Sequence, residues 1–296
     1  MKLKELLKDI PVIAIVGSED VEITDVNIDS RRIKDGHLFI AMKRTQVDGH
    51  KFVPKAIELG AKAVMCEDMP EEKAEGVTYV QVESTEDVVG KVATTFHGNP
   101  STKLKLVGVT GTNGKTTTKE LTAAVLQEKY NVLYTAGNFN NDIGVPKTLL
   151  RLKPEHEVAV VEMGASHPGD IKTLVDIVEP DYAIITNVGR AHLQGFGSFE
   201  GVIRTKGELY DFMRENRFAS ATNNAPVQPE RTVFIDNDNP HLNSIANGLR
   251  LVRYGCADAD NLYVQGRVTG CEPTLNFEWK SEADATWYGV NTHLIG

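Results

Sequence analysis

A chain of 296 residues is long enough for about two domains at roughly 150 residues each. Its apolar fraction of 41% and charged fraction of 25% are ordinary for a globular protein and exclude disorder, a collagen-like repeat and a coiled coil. The formal charge of −9 excludes a broad surface for nucleic acid or anionic membrane, which needs clustered Lys and Arg, so an anionic ligand must be held by a local site.

The chain opens on MKLKELLKDI, where Leu3, Leu6, Leu7 and Ile10 at helical spacing between charged residues predict an amphipathic helix and not a signal peptide. No run of about 18 uninterrupted apolar residues occurs, so no membrane insertion is expected. Cys66, Cys256 and Cys271 are odd in number and lack metal-ligand spacing, which fits a reducing compartment, and the expected location is cytoplasmic. Up to about residue 98, short apolar runs (Val12 to Val16, Leu38 to Ala41, Ala63 to Met65, Thr78 to Val82) alternate with helical patterns such as Val53 to Leu59, predicting a small α/β domain. The turn formers His97 to Ser101 place a domain boundary between 1–99 and 100–296.

From Leu104 a strand, glycine-rich turn and helix pattern recurs. Strands are predicted at Leu104 to Thr110, Val158 to Glu162 and Tyr182 to Val188, and a helix with its apolar face on Ile171, Leu174, Val175 and Val178. Strands buried on both faces with helical crossovers imply a mostly parallel, doubly wound sheet. Ala219 to Pro229 reads as an exposed loop, Thr232 to Tyr254 as one more β/α unit, and the runs near Leu262 to Val268, Thr274 to Trp279 and Trp287 to Ile295 as a small antiparallel sheet.

The stretch Gly108 to Thr117 (GVTGTNGKTT) ends the first of these strands and begins a helix. Gly111, Thr112, Asn113, Gly114, Lys115, Thr116 and Thr117 form a variant phosphate loop, with Val109 where the strict formula has glycine. Glycines let backbone N–H groups fold around phosphate oxygens and the helix N-terminus favours the anion; Lys115 would neutralise β and γ phosphates, and the Thr116 hydroxyl would ligate Mg²⁺.

Ligands of open parallel sheets gather at the carboxyl ends of strands, where Glu162 and Asn187 close two of them. Glu162 is placed either to bind the Mg²⁺ or merely to cap the following turn. His192, in a glycine-bearing loop, is either a ligand of a second cation or a lone histidine without that role. Lys206 projects from a helical apolar stripe with Val202, Leu209 and Met213. Burial would favour its neutral amine, which captures CO₂ as a carbamate and becomes an oxygen ligand; the alternative is a lysine that snorkels to water.

The blocks GVTGTNGKTTTKE (Gly108 to Glu120), GNFNNDIGVPKTLLRL (Gly137 to Leu152), VVEMGASHPGDI (Val160 to Ile171) and AHLQGFGSFEGVIRTKGELYDF (Ala191 to Phe212) resemble the Mur ligases. GNFNN and the AHL and GFGS segments are most similar to the branch that adds D-alanyl-D-alanine. In the first domain, IDSRRIKDGHLFIAM (Ile28 to Met42) and VDGHKF (Val47 to Phe52) resemble that family's UDP-binding domain.

The resemblance implies an ATP-dependent amide ligase of peptidoglycan precursor synthesis, acting on UDP-N-acetylmuramoyl-tripeptide and D-alanyl-D-alanine through an acyl phosphate, and working as a monomer. It implies Thr116 and Glu162 for one Mg²⁺, and His192 with carbamylated Lys206 for a second. Lys115, Lys206 and His192 would be catalytic. Ser30, Arg31, Asp48 and His50 match the UDP-sugar region, and Asn138, Asn140 and Asn141 the central substrate loop.

Two departures stand out: Arg44 where the family has glycine, and Gln194 for a glutamate beside His192. VNTHLIG (Val290 to Gly296) is normally followed by an Asn-bearing helix and a C-terminal domain, so residues 1–296 alone are expected to bind substrates without completing ligation. Two other readings are a non-catalytic binder of UDP-muramoyl peptides and another ligase of the superfamily, such as one adding glutamate to folate, which would lack the DSRR and VDGH region.

Overall fold

Alternation of aliphatic side chains builds the first sheet from β1 (Val12–Val16), β2 (Asp25–Asn27), β3 (His37–Ile40), β4 (Ala63–Cys66) and β5 (Thr78–Val82). The computed structural model describes residues 1–43, 47–191, 193–215 and 230–294; Arg44, His192 and the loop expected at Ala219 to Pro229 lie outside them. The strand order is β1-β5-β4-β3-β2, with β2 to β5 parallel and β1 antiparallel to β5. Successive residues of a strand point to opposite faces, so Leu38, Ile40, Ala63, Met65, Val80 and Val82 enter one core while Phe39, Ala41, Val64, Cys66 and Tyr79 enter another. Sequence reading missed β2, whose Asp25-Val26-Asn27 offers a single apolar residue.

Three helices cover this sheet: α1 (Leu3–Leu6), α2 (Val53–Glu58) and α3 (Thr85–Phe96). The Ser84 hydroxyl accepts from Asp87 N at 3.2 Å and starts α3. Leu3, Leu6, Leu7 and Ile10 are all buried, as their spacing predicts, but α1 stops at Leu6. Pro11 explains part of this, because it biases the preceding residue away from helical backbone.

The chain then forms β6 (Lys105–Thr110), α4 (Lys115–Gln127) and β7 (Val132–Tyr134), followed by α5 (Gly144–Leu149). Two compact units result, one of Met1–Leu104 with Leu133–Glu157 and one of Lys105–Val132 with Val158–Gly296. In the first unit, Ile143 enters the same core as Leu3, Met65 and Val89.

The second unit continues with β8 (Val158–Glu162), α6 (Asp170–Val178), β9 (Tyr182–Ile185), α7 (Leu193–Phe196), α8 (Phe199–Arg214), β10 (Thr232–Asp236), α9 (Pro240–Ser244) and β11 (Leu251–Gly255). It ends with β12 (Val264–Gly270), β13 (Asn276–Ser281) and β14 (Asp284–Asn291). The nine-stranded order is β14-β13-β12-β11-β10-β9-β6-β8-β7. The pairs from β8 through β12 are parallel, as a doubly wound α/β sheet requires. Ile171, Leu174, Val175 and Val178 are buried, so the apolar stripe of α6 is the face it turns inward. One expectation is corrected: β12, β13 and β14 pair antiparallel but do not form a separate small sheet. Tyr254 and Gly255 of β11 pair with Val264 and Gln265 of β12, making the three strands an antiparallel extension of the main sheet.

Burial sets a pH limit on the first unit. His37, His97 and His156 are each held below the ordinary histidine pKa, in every case first by desolvation. At His97 the charge of Asp25 works in the opposite direction, while Lys103 and His156 add to the lowering. Groups whose folded pKa is depressed take up protons first in the unfolded chain, so their stabilising contribution is complete above about pH 6.5 and is lost as pH falls through the folded values. The thermal midpoint should therefore fall between pH 7.5 and 5.5, and His97→Gln, which cannot gain this proton, should make the fall shallower. A scanning calorimetry series at constant ionic strength checks both; equal slopes for the two proteins would remove His97 from the effect.

Candidate active site

β6 sits between β8 and β9, and the chain passes from β8 on one side to β9 on the other. Open α/β sheets bind ligands at the carboxyl ends of strands where the order reverses in this way. Val109 pairs with Glu162 and Thr110 with Ile185, so the loops after all three strands leave at one level. The Thr110 hydroxyl donates to Met163 O at 2.7 Å, and Met163 N donates to Val109 O at 2.8 Å.

The phosphate loop turns at Gly111, whose φ of 141° disfavours any residue with a side chain; a Cβ there would also collide with the Thr186 hydroxyl. Gly114, at φ 76°, ends the loop and caps α4. The first turn of a helix has no internal acceptors, so the N–H groups of Gly114 to Thr117 point out of it. Gly114, Thr116 and Thr117 are exposed, whereas Thr112 and Asn113 are tied through their own N–H groups to Asn187. The Lys115 ammonium folds over the loop and donates to Gly111 O and Thr112 O, both at 2.9 Å. Desolvation holds its pKa below the usual lysine value, opposed by the charge of Glu162.

Glu162 is 1% exposed, and the Thr116 hydroxyl donates to its Oε1 at 3.3 Å. Its other oxygen, Oε2, lies 3.7 Å from the ammonium of Lys119, which is fully buried and also meets Glu120 Oε1 at 2.9 Å. Sequence reading missed Lys119, although its place four residues after Lys115 puts it on the same side of α4.

Lys206 is 3% exposed, between the buried Val202, Leu209 and Met213 as the stripe predicts, with its Nζ 5.6 Å from the centre of the Phe196 ring. Burial first, and then the charge of Lys115, bring its pKa down to about 8, against the opposing charges of Asp170 and Glu208. Glu208 is a second residue the sequence did not single out. Its two carboxylate oxygens accept from Gly169 N at 2.8 Å and Lys172 N at 2.9 Å, fastening α8 to the N-terminal turn of α6. Lys115 thus feels the charge of Glu162, and Lys206 feels the charge of Lys115.

The residues matched to substrate binding lie in the first unit. Ser30 is buried at the start of a short turn, and Arg31 pairs with Asp29 at 2.8 Å with its side chain 87% exposed. The Asp48 carboxylate accepts from His50 N at 2.9 Å and from His50 Nδ1 at 2.6 Å, while His50 Nε2 accepts from Glu67 N at 2.9 Å and Asp68 N at 3.2 Å. Two incoming N–H groups at Nε2 place the ring proton on Nδ1. Asn141 Oδ1 accepts from Gly144 N at 2.9 Å at the start of α5, Asn140 N donates to Asn138 O at 2.8 Å, and Asn138 is exposed.

A Mg²⁺ fits the oxygens of Thr116 and Glu162, since a hydroxyl and a carboxylate are hard ligands and the hydroxyl already points at the carboxylate. Among the described residues no group of three or more His, Cys, Asp and Glu side chains forms a further metal cluster. Nor is any helix there long and apolar enough to cross a membrane.

Residues 109–283 match the model of the Mur ligase middle domain, and residues 22–97 that of the Mur ligase family catalytic domain. A UDP-N-acetylmuramoyl-L-alanyl-D-glutamate–2,6-diaminopimelate ligase of Bacteroides fragilis is 44% identical over 233 residues, covering 74% of this chain and 48% of its own. A UDP-N-acetylmuramoyl-tripeptide–D-alanyl-D-alanine ligase of Haemophilus influenzae is 40% identical over 211 residues, covering 69% and 45%. The crystal structure of the MurF ligase of Thermotoga maritima in complex with ADP superposes with a TM-score of 0.72 at 30% identity, covering 90% of this chain and 57% of that one. The chain spans about half the length of the curated relatives it matches. With the middle-domain match extending over more than half of the residues and enclosing the phosphate loop, Glu162 and Lys206, this chain belongs to the Mur ligase family.

Proposed function

We propose that the chain is part of an ATP-dependent ligase that joins D-alanyl-D-alanine to UDP-N-acetylmuramoyl-tripeptide in the cytoplasm. Members of its family are ATP-dependent ligases of peptidoglycan synthesis. The observation that carries the reading is the phosphate loop set beside the buried Glu162, with the hydroxyl of Thr116 between them. In this reading 1–99 is the UDP-sugar-binding domain and 100–296 the ATP-binding domain. The tripeptide carboxylate attacks the γ-phosphorus of ATP, giving an acyl phosphate and ADP. The amine of D-alanyl-D-alanine then attacks the acyl carbon, phosphate leaves, and the amine proton goes to solvent or a base.

Lys115 and the N–H groups of Gly114 to Thr117 would bind the phosphates and stabilise charge on the transferring group. Thr116 and Glu162 would hold Mg²⁺, which neutralises phosphate charge when bound. Lys206, once carbamylated, supplies an anionic oxygen in place of a cation beside Lys115; the role proposed for His192 rests on its sequence context alone. The uridine end of the substrate is assigned to Ser30, Arg31, Asp48 and His50, and its peptide end to Asn138, Asn140 and Asn141.

A second reading, addition of diaminopimelate to the UDP-muramoyl-dipeptide, is favoured by the 44% identity to the Bacteroides protein. The GNFNN loop and the T. maritima likeness favour the first. Calorimetric titration of residues 1–296 should show tighter binding of UDP-muramoyl-tripeptide than of UDP-muramoyl-dipeptide; the reverse order would select the second reading.

Removing a charge-assisted hydrogen bond costs about 1.5–3 kcal/mol, so Lys115→Met should weaken Mg-ADP binding by about ten- to a hundredfold. Unchanged affinity would separate the loop from nucleotide binding. An amine with a pKa of about 8 is neutral in about half the molecules at pH 8, whereas an ordinary lysine is almost wholly charged. With ¹³C-bicarbonate, NMR should show a carbamate signal at pH 8 that fades on acidification and is missing in Lys206→Met. A signal that survives in that variant would assign it elsewhere.

A further inference from the structure

The nucleotide reading above leaves unassigned the residue that shapes the phosphate loop. Four contacts tie the loop to the segment that leaves β9. Thr112 N donates to Asn187 O at 3.0 Å, and the Thr186 hydroxyl donates to Asn113 O at 2.6 Å. Gly189 N donates to the Thr112 hydroxyl at 2.9 Å, and Thr186 N to Thr110 O at 2.9 Å. Around them the Asn187 side chain makes a two-sided contact with one residue: its Oδ1 accepts from Asn113 N at 3.1 Å and its Nδ2 donates to Asn113 O at 3.1 Å.

We propose that Asn187 is a positioning residue for nucleotide binding. Its primary amide engages both backbone polar groups of Asn113, the carbonyl jointly with the Thr186 hydroxyl, so that the N–H groups of Gly114, Lys115 and Thr116 are left to receive the phosphates.

The chemistry is specific to an amide. One group must offer an acceptor and a donor side by side, at the reach of a single methylene from the backbone. Aspartate accepts but does not donate, leucine does neither, and serine carries its donor and acceptor on one oxygen and not side by side. The backbone of the same residue adds the Thr112 contact, so Asn187 engages the N–H groups of both Thr112 and Asn113. These two N–H groups are therefore spent on shape and not on phosphate. Backbone donors fixed before the ligand arrives need no reordering when it binds, and this is where the affinity gain arises. Because the clamp sits on the segment that leads toward His192, it also joins the phosphate loop to the strand end on the far side of β6 from Glu162.

The test uses residues 1–296 as the native protein with Asn187→Leu and Asn187→Asp. Two readouts are taken: Mg-ADP affinity by calorimetry, and amide hydrogen exchange of Asn113 referenced to Val109 in β6. In the native chain Asn113 should be protected. In Asn187→Leu its protection should be lost while Val109 stays protected, and ADP should bind about tenfold more weakly or worse. Asn187→Asp should keep Asn113 protected and still bind ADP more weakly, because the Nδ2 donor to Asn113 O is gone and only the Thr186 hydroxyl still donates there; a structural defect alone would not separate the two readouts in this way. An unprotected Asn113 in the native protein overturns the clamp without any variant. Variants that bind ADP within twofold of native overturn the positioning role alone. A native chain that binds no ADP overturns the nucleotide reading and this proposal with it.

Discussion

The position of β6 between two parallel neighbours governs the candidate site. Parallel strands send their carboxyl ends in one direction, so the chain leaving β6, β8 and β9 must emerge at the same sheet edge. The pairings of Val109 with Glu162 and Thr110 with Ile185 set the heights at which these exits occur. A shift of register by one residue would turn Glu162 to the other face and away from Thr116. The chemistry available at this edge is thus decided by strand pairing before any side chain of the loop is considered.

Electrostatics then make this edge unlike the rest of an acidic molecule. Lys119 and Lys115 both act on the buried carboxylate of Glu162, and Lys115 in turn acts on Lys206. A buried ion pair such as Lys119 with Glu162 gives little net stability, because desolvation offsets the attraction; it does restrict where the carboxylate points. Lys115 and Lys206 are both lowered by burial, and Lys206 further by Lys115. Their repulsion stands as long as both are cations. In the proposed reading, a bound phosphate beside them would relieve it, and so would conversion of the Lys206 amine into a carbamate.

Much of this was legible in the sequence, because the signals are local. The ends of β8 follow from Val158 to Glu162, the buried face of α6 from its spacing of four aliphatic residues, and the loop from GTNGKT at a strand end. What was not legible depends on partners distant in the chain. Ile143 is apolar like many others, and nothing in its neighbourhood shows that it joins the core formed by Leu3 and Val89. The strands β12 to β14 have clear alternation, yet their continuity with β11 rests on a two-residue pairing. Lys119 and Glu208 look like ordinary charged helix residues until Glu162 and the first turn of α6 are placed against them.

The same contrast separates two kinds of motif residue. Asp48, His50 and Asn141 stand in the first unit where family likeness suggests substrate contact, yet each is occupied with backbone groups of its own unit. Asn187 and Glu208 do similar work in the second unit. A short polar side chain that satisfies backbone donors fixes a loop in one conformation, and a loop so fixed presents its remaining N–H groups and its exposed side chains to a ligand at no further cost in order. In the proposed reading Lys115, Thr116 and Lys206 depend on such supports, because a flexible lysine or a rotating hydroxyl would serve a transferring phosphate only where the backbone beneath it does not move. Polar residues in these motifs therefore divide between those bonded to the backbone of their own unit and those left exposed, and geometry, not residue type, tells them apart.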